Sequence, residues 1–223
     1  MKTKKNLIAL AAIFGAACAQ AEAPIHRADL AAALRDFLAQ RGDMCLAKYD
    51  WPIDVSARDV AQRTRDALQL PVLQQEGLVQ SRDGYVIYKT EGQDEESVPT
   101  QRYELTALGR KFYKVRETVS HPNGAASVVH YGDLCAGRLE LDAITSITPI
   151  TEPPAVAGGM RRASVRVSYL YRFKPAPWAE KEAVRGVFPM LDMLVRMQGK
   201  TPMTQSFHLD EQGKRWVADT QLD

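Results

Sequence analysis

The sequence predicts an α+β protein in which a helical half, residues 22–120, precedes an antiparallel β-sheet half, residues 121–223, that carries inserted helices. Three observations predict this class. Apolar residues in His26–Arg41 recur at helical spacing, whereas those in Ala163–Phe173 alternate with polar residues. The segment Gln205–Thr220 has the pattern of a terminal hairpin.

Length and composition are those of an ordinary globular protein. The chain has 223 residues, of which 45% are hydrophobic and 25% charged, and this excludes collagen-like, low-complexity and wholly disordered chains. The formal charge is +2 and becomes −1 when residues 1–21, with three lysines and no acid, are removed. Because a near-neutral chain has no general field that gathers nucleic acid or anionic lipid, we expect no nucleic acid partner.

Residues 1–21 have the layout of a secretory signal peptide. Lysines at positions 2, 4 and 5 precede an unbroken apolar run, Leu7–Phe14, and small residues around an A-x-A site end at Ala21. The apolar stretch Leu7–Ala19 is too short for a membrane-spanning helix, which needs about 20 residues. We therefore expect cleavage after Ala21 and export to the periplasm.

Cys18 leaves a second destination open. Gly15-Ala16-Ala17-Cys18 resembles a bacterial lipobox, in which the cysteine becomes the lipidated N-terminus. A lipobox usually has a large aliphatic residue where this chain has Gly15, so cleavage after Ala21 is the preferred interpretation. The alternative is an outer-membrane lipoprotein, and a lipid on Cys18 is the only membrane attachment that we expect.

Cys45 and Cys135 are predicted to form a disulfide. They are the cysteines that remain after cleavage, and paired thiols are oxidised in the periplasm. The bond would close a loop of about 90 residues, worth roughly 4–5 kcal/mol in the chain-entropy model. Two alternatives use the neighbouring His130 and Asp133: a metal site, although their spacing fits no zinc pattern, and a thiol nucleophile, which an oxidising compartment opposes.

The N-terminal half begins with an amphipathic helix over His26–Arg41. Its apolar residues share one face: Leu30, Leu34, Phe37 and Leu38. Gly42 stops this helix, and the following segment, Met44–Pro52, is irregular or briefly extended. Ser56 and Asp59 have the pattern of a capping box and start a second helix.

A third helix is predicted to begin at Pro71, because proline suits the first helical turn, and to end at Gly77. Strands follow at Tyr85–Lys89 and Arg102–Leu105. The next segment is predicted to be a helix that Thr106 caps. Three apolar residues extend its helical spacing: Leu108, Phe112 and Val115.

Two segments of this half resemble winged-helix regulators. LPVLQQEGLV at Leu70–Val79 and YELTALGRKFY at Tyr103–Tyr113 flank a hairpin, as a helix end and a helix start flank the wing in that family. In such regulators the helix before the wing reads the major groove. Here residues 66–81 contain no Lys or Arg, and the wing tip, Glu91–Ser97, is acidic. The resemblance, over residues 70–113, therefore implies the fold without its DNA contacts.

The C-terminal half has a β pattern. Ser127–Tyr131 and Leu134–Ile150 are predicted to form two or three strands with breaks at Gly132 and Gly137. The alternating segment Ala163–Phe173 is the clearest strand of the sequence.

A helical segment follows this strand. It spans Trp178–Val195, and Pro189 divides it into two helices. The terminal hairpin pairs Gln205–Leu209 with Arg215–Thr220. As a whole, the chain resembles an exported bacterial protein.

No catalytic motif is visible in the sequence. The four histidines are scattered, without metal-ligand spacing: His26, His121, His130 and His208. Glu140 and Asp142 share a strand face, as surface acids commonly do. The aromatic series from Tyr169 to Trp178 is more typical of a core than of a ligand groove. We therefore assign no catalytic residue, no metal ligand and no cofactor.

These observations favour an exported, non-catalytic protein that binds another protein or an envelope component. An inhibitor or immunity protein is one such case, with the acidic segment 91–96 facing a basic partner. One alternative is an enzyme whose residues converge only in the fold, and a pocket that gathers His130 with Glu140 or Asp142 would indicate it. The other is a small-molecule carrier with an apolar cavity behind Tyr169–Phe173.

Overall fold

The computed structural model describes residues 25–88, 96–121, 127–150, 163–210 and 212–219. The predicted signal peptide with Cys18, and most of the acidic segment 91–96, lie outside these ranges. In chain order the elements are α1 (Arg27–Arg41), β1 (Asp43–Cys45), β2 (Ile53–Ser56), α2 (Ala57–Gln62), α3 (Arg65–Gln75), β3 (Val79–Tyr88), β4 (Glu96–Leu105), α4 (Ala107–Arg110), β5 (Tyr113–Ser120), β6 (Val128–Pro149), β7 (Ser164–Pro175), a 3₁₀ turn (Pro177–Glu180), α5 (Glu182–Val187), α6 (Pro189–Met197), β8 (Met203–Leu209) and β9 (Trp216–Ala218).

The predicted fold class, an α+β chain with a helical N-terminal half and a β-sheet C-terminal half, is wrong. The described chain is mostly antiparallel β-sheet, five of its strands precede residue 121, and α5 and α6 lie near its C-terminal end. The reason is long-range strand pairing. β6 pairs with β1 and β5 from the first half and with β7 from the second, so both halves build one sheet.

The larger sheet has the strand order β1-β6-β7-β8-β9, with β5 also paired to β6, and it curls into a half-barrel. β6 runs through 22 residues without the breaks predicted at Gly132 and Gly137. Gly132 pairs with Val115 of β5 within this strand, and no side chain fits there, because a Cβ at position 132 would lie 2.5 Å from the Tyr113 ring. Register shifts opposite β7 bend the long strand.

The smaller sheet has the order β2-β4-β3, and α2 and α3 connect β2 to β3. Ser56 and Asp59 form the predicted capping box at the start of α2. The predicted start of the third helix at Pro71 is wrong, because Thr64 already accepts the N–H of Ala67 and α3 begins at Arg65.

Other local predictions are confirmed. They concern α1, the cap at Thr106, the alternating strand β7, the division of the helical segment at Pro189 and the terminal hairpin of β8 and β9. The helical extension through Phe112 and Val115 is wrong, since α4 ends at Arg110 and β5 begins at Tyr113.

Buried residues of both sheets and of the helices join in one hydrophobic cluster. α1 contributes three leucines on its predicted face: Leu30, Leu34 and Leu38. The aromatic series is part of this core: Tyr169, Tyr171, Phe173 and Trp178. Within the described ranges, no helix combines the length and the apolar character that crossing a membrane requires.

Candidate functional site

The predicted disulfide joins β1 to β6. Cys45 and Cys135 are opposite each other in the antiparallel register, and their sulfur atoms lie 2.03 Å apart. Arg116 of β5 places Nη1 3.3 Å from Cys45 Sγ and 3.4 Å from the Asp43 carbonyl oxygen. The bond therefore ties the chain that follows α1 to the longest strand of the larger sheet.

Asp133, two residues before Cys135, holds the segment that follows Cys45. Its carboxylate accepts the backbone N–H groups of Lys48 at 2.9 Å and Ala47 at 3.3 Å. Burial raises the pKa of Asp133. Lys48 is buried as well, and its ammonium binds Asp66 of α3, while burial lowers the Lys48 pKa. These contacts fix residues 46–48 against β6.

The same segment continues over His130. The Tyr49 ring stacks on the imidazole with centroids 4.0 Å apart and planes at 13°. His130 Nδ1 lies 2.7 Å from Asp50 Oδ2, and His130 Nε2 lies 2.9 Å from Ser120 Oγ on β5. The Tyr113 hydroxyl donates to the Tyr49 carbonyl. Tyr49, Asp50, Ser120 and His130 are called the His130 cluster below.

The hydrogen bonds of the cluster determine the tautomer of His130. An ionised carboxylate only accepts hydrogen bonds, so neutral His130 carries its proton on Nδ1 and donates it to Asp50. The unprotonated Nε2 then accepts the Ser120 hydroxyl proton. His130 is 9% exposed and the Asp50 side chain 76% exposed, and Ser120 is half-buried. The cluster is therefore open to solvent at both of its ends.

The structure does not join His130 to the acids named as its candidate partners. Glu140 lies 3.5 Å from Lys174, and Asp142 binds Arg172 at 2.8 Å, so both acids are engaged in ion pairs of the β6–β7 surface. Among the described residues, no group of three or more His, Cys, Asp or Glu side chains could hold a metal ion.

The remaining histidines lie at scattered positions. His121 Nε2 is 3.0 Å from Ser127 Oγ, and both residues are exposed. His208 Nδ1 is 2.6 Å from Asp219 Oδ1 in the terminal hairpin. Sequence reasoning missed Ser120 and Asp50, because neither residue belongs to a motif.

The arginines of the β3–β4 hairpin are paired with carboxylates of the smaller sheet. Arg102 binds Asp54 of β2 through Nε and Nη2 at 2.9 and 2.8 Å, and these contacts hold the pKa of Asp54 below its usual value. Arg82, directly opposite Arg102, binds Glu104 at 2.8 Å. Each guanidinium therefore has a carboxylate partner.

Helix α3, which corresponds to the reading helix of the winged-helix resemblance, packs against α5. Gln69 donates to the Val187 carbonyl at 2.8 Å, and Glu76 pairs with Lys181 at 3.0 Å. After Arg65, α3 exposes no lysine or arginine; its most exposed residues are Leu68, Pro71, Gln74 and Gln75.

Residues Tyr113–Ser120 and Val128–Leu134 form a two-stranded structure, called the β5–β6 ribbon below. Val119 and Val129 are directly opposite, and Tyr131 follows on the same face. These side chains are 48%, 42% and 69% exposed. Since alternate residues point to opposite faces, the other face holds Ser120 and His130. The outer face thus carries three neighbouring exposed apolar side chains, and the inner face carries Ser120 and His130 beside the exposed Val128.

Comparison with protein-family models, curated proteins and solved structures found no match to this chain. The basis for assigning a function is therefore the geometry of two surfaces. The outer face of the ribbon offers apolar contact area, and the inner face offers a hydroxyl, an imidazole and a carboxylate in one hydrogen-bonded chain.

Proposed function

We propose that the protein is exported to the periplasm and binds another protein through the outer face of its β5–β6 ribbon. The observation that carries the proposal is the contiguous exposed patch of Val119, Val129 and Tyr131. Contiguous apolar patches on a protein surface mark contact sites, and tyrosine is enriched in them. We expect the partner to present a complementary apolar patch, as the target of an inhibitor or immunity protein would.

The signal peptide layout of residues 1–21 supports export. The Cys45–Cys135 disulfide supports the same destination, because such bonds persist in oxidising compartments. Lipidation at Cys18 stays the alternative that would attach the protein to the outer membrane.

We propose no nucleic acid partner, because α3 packs against α5 and exposes no lysine or arginine after Arg65. DNA binding depends on cations that neutralise phosphates.

Site-specific photo-crosslinking in the producing bacterium tests the proposed interface. A photoreactive phenylalanine replaces Tyr131 and, as the matched control, Tyr85, which is 63% exposed on β3. We expect a discrete adduct with a second protein at position 131 and none at position 85, and Val129→Asp should remove it. No adduct at position 131, or an adduct only with another copy of this chain, would contradict the proposal.

A further inference from the structure

We propose that the His130 cluster is a nucleophilic site at which Ser120 attacks carboxylic esters. This inference goes beyond the proposed protein-binding function and does not depend on it. It rests on the inner face of the β5–β6 ribbon, whereas the binding proposal rests on the outer face.

The cluster has the connectivity that activates a serine. The hydroxyl contacts Nε2 of the imidazole and the carboxylate contacts Nδ1, at 2.9 and 2.7 Å, which is within the reach of a general base. Ser-His-Asp sites occur on unrelated folds and in different chain orders, so they are recognised by this geometry and not by sequence position. Here the order along the chain is Asp50, Ser120, His130.

The imidazole of His130 is held in place before any substrate arrives. Tyr49 stacks on it, and the Tyr113 hydroxyl binds the Tyr49 carbonyl. Asp133 binds the backbone just before Tyr49, and the disulfide anchors the start of this segment. A base that is fixed in one orientation and one tautomer does not need to be ordered in the reaction.

Thr118 supplies a donor beside the nucleophile. It is directly opposite His130 in the register and lies two residues before Ser120, on the same face of β5. Its Oγ1 is buried and has no hydrogen-bond partner among the residues that the structure describes. Buried hydroxyls are usually paired, and we assign this one to the substrate oxygen that becomes negative during attack, which it reaches by rotation of the Thr118 side chain toward Ser120.

The proposed reaction has two steps. Ser120 Oγ bonds to the ester carbonyl carbon while its proton passes to His130 Nε2, and the C–O bond to the alcohol then breaks as that proton moves to the departing oxygen. Water repeats the sequence on the acyl-serine and releases the acid. Asp50 keeps the Nδ1 proton in place and stabilises the imidazolium without accepting a proton. Because the cluster is open at the surface, we expect substrates with a short acyl group.

Labelling with a fluorophosphonate probe tests the nucleophile in the oxidised full chain. The residues next to the ribbon provide an internal control, since Ser127 also contacts a histidine, His121, at 3.0 Å. Among the contacts of the described residues, His121 has no carboxylate. We expect the probe on Ser120 and not on Ser127, with loss of labelling in Ser120→Ala and retention in Ser127→Ala.

Three further variants distinguish activation of Ser120 from a purely structural role of the cluster. Asp50→Asn removes an exposed carboxylate and should slow Ser120 labelling at least about tenfold, with His130→Gln slowing it about a hundredfold or more. Thr118→Val should lower p-nitrophenyl acetate turnover about tenfold or more while Ser120 is still labelled. If His130→Gln fails to fold, the labelling rate of Asp50→Asn alone decides whether the cluster activates Ser120.

Equal labelling of Ser120 and Ser127, no labelling of Ser120, or an unchanged rate in Asp50→Asn would overturn the inference. The hydrogen-bonded chain would then be a structural attachment of residues 49–50 to the ribbon. Crosslinking at Tyr131 in Ser120→Ala distinguishes the two proposals, because the adduct should persist in this variant whether or not the serine is reactive.

Discussion

The two hairpins that follow each other along the chain use their polar residues differently. In the β3–β4 hairpin, Arg82 binds Glu104 on the paired strand and Gln101 binds Asp83. In the β5–β6 ribbon, His130 binds Asp50, which lies 80 residues away in the sequence. The charges of the first hairpin are thus paired within the smaller sheet, where Arg102 binds Asp54 of β2. The long-range chain leaves a hydroxyl and a carboxylate at a surface where chemistry is possible.

Both hairpins expose apolar residues, but the two sets have different surroundings. β3 exposes Tyr85 and Ile87, which lie opposite the part of β4 that is not paired with β2. The ribbon exposes Val119, Val129 and Tyr131 on the face opposite the His130 cluster. A hairpin whose inner face is attached to a distant segment can keep an apolar outer face in solvent, because the attachment and not the outer face holds it to the protein.

The largest effect is expected from the disulfide, because it anchors the segment that binds the ribbon. Replacing Cys45 or Cys135 with Ser should lower the stability by roughly 4–5 kcal/mol, the loop-closure contribution of a loop of about 90 residues. The double variant should be little less stable than either single variant. Thermal unfolding measures the loss, and hydrogen exchange should show earlier opening of residues 128–135 than of residues 79–87.

Thiol titration of the denatured, unreduced protein is the control for this prediction, and it should find no free thiol from this pair. Two titratable thiols in protein purified without a reducing agent, or an unchanged melting temperature in both single variants, would contradict the prediction.

A smaller loss of stability is expected when alanine replaces Gly132 of the ribbon. Gly132→Ala places a Cβ 2.5 Å from the Tyr113 ring, whose hydroxyl is bound to Tyr49, so the ring cannot move without loss of that bond. We expect a loss of about 1–3 kcal/mol in denaturant unfolding. Gly84→Ala is the matched control, since its Cβ would lie 3.0 Å from Arg102 Cβ. A loss in Gly84→Ala equal to that in Gly132→Ala would refute the predicted difference.

The smallest effect on stability is expected from the ion pair that joins the β3–β4 hairpin to β2. The Arg102 guanidinium holds the pKa of Asp54 below its usual value, so ionised Asp54 stabilises the fold above the ordinary carboxyl pKa of about 4. This contribution is lost as the pH falls through the lowered pKa. Asp54→Asn should therefore melt below the wild type at pH 7, and the difference should shrink in acid.

Asp83→Asn is the control for the ion-pair prediction, because the Asp83 carboxylate binds the Gln101 amide and not a guanidinium. A difference between wild type and Asp54→Asn that stays constant from pH 7 to strongly acidic pH would exclude the proposed origin.

Elements with their own periodicity could be predicted from the sequence. The leucines of α1 lie on one buried face of the helix, and alternate residues of β7 lie on one buried face of the strand. In both elements the burial of that face determines the secondary structure, so the sequence pattern predicts it. β5 could not be predicted in this way. Leu108, Phe112 and Val115 have helical spacing, but the backbone of Tyr113–Ser120 finds its hydrogen bonds on β6, and tertiary pairing prevails over local pattern.

The disulfide could be predicted because two cysteines allow one pairing. The His130 cluster could not, since Asp50, Ser120 and His130 meet through strand register and through the attachment of residues 46–48 to Asp133. Proximity in the sequence suggests Asp133 and Cys135 as the partners of His130. Alternation along β6 and the path of the loop determine its actual neighbours.

The pairing of β1 with β6 has a consequence for the rate of folding. The β5–β6, β6–β7 and β8–β9 pairs each join strands that follow one another in the chain, whereas residues 43–45 must find residues 135–138. Contacts between distant residues form slowly because the loop entropy is lost before the contact stabilises anything. In the oxidised chain this loop is already closed, since Cys45 stays bonded to Cys135 when the protein unfolds. Refolding should therefore be faster from the oxidised than from the reduced unfolded state, and the gain should appear in the step that seats residues 46–50 on β6.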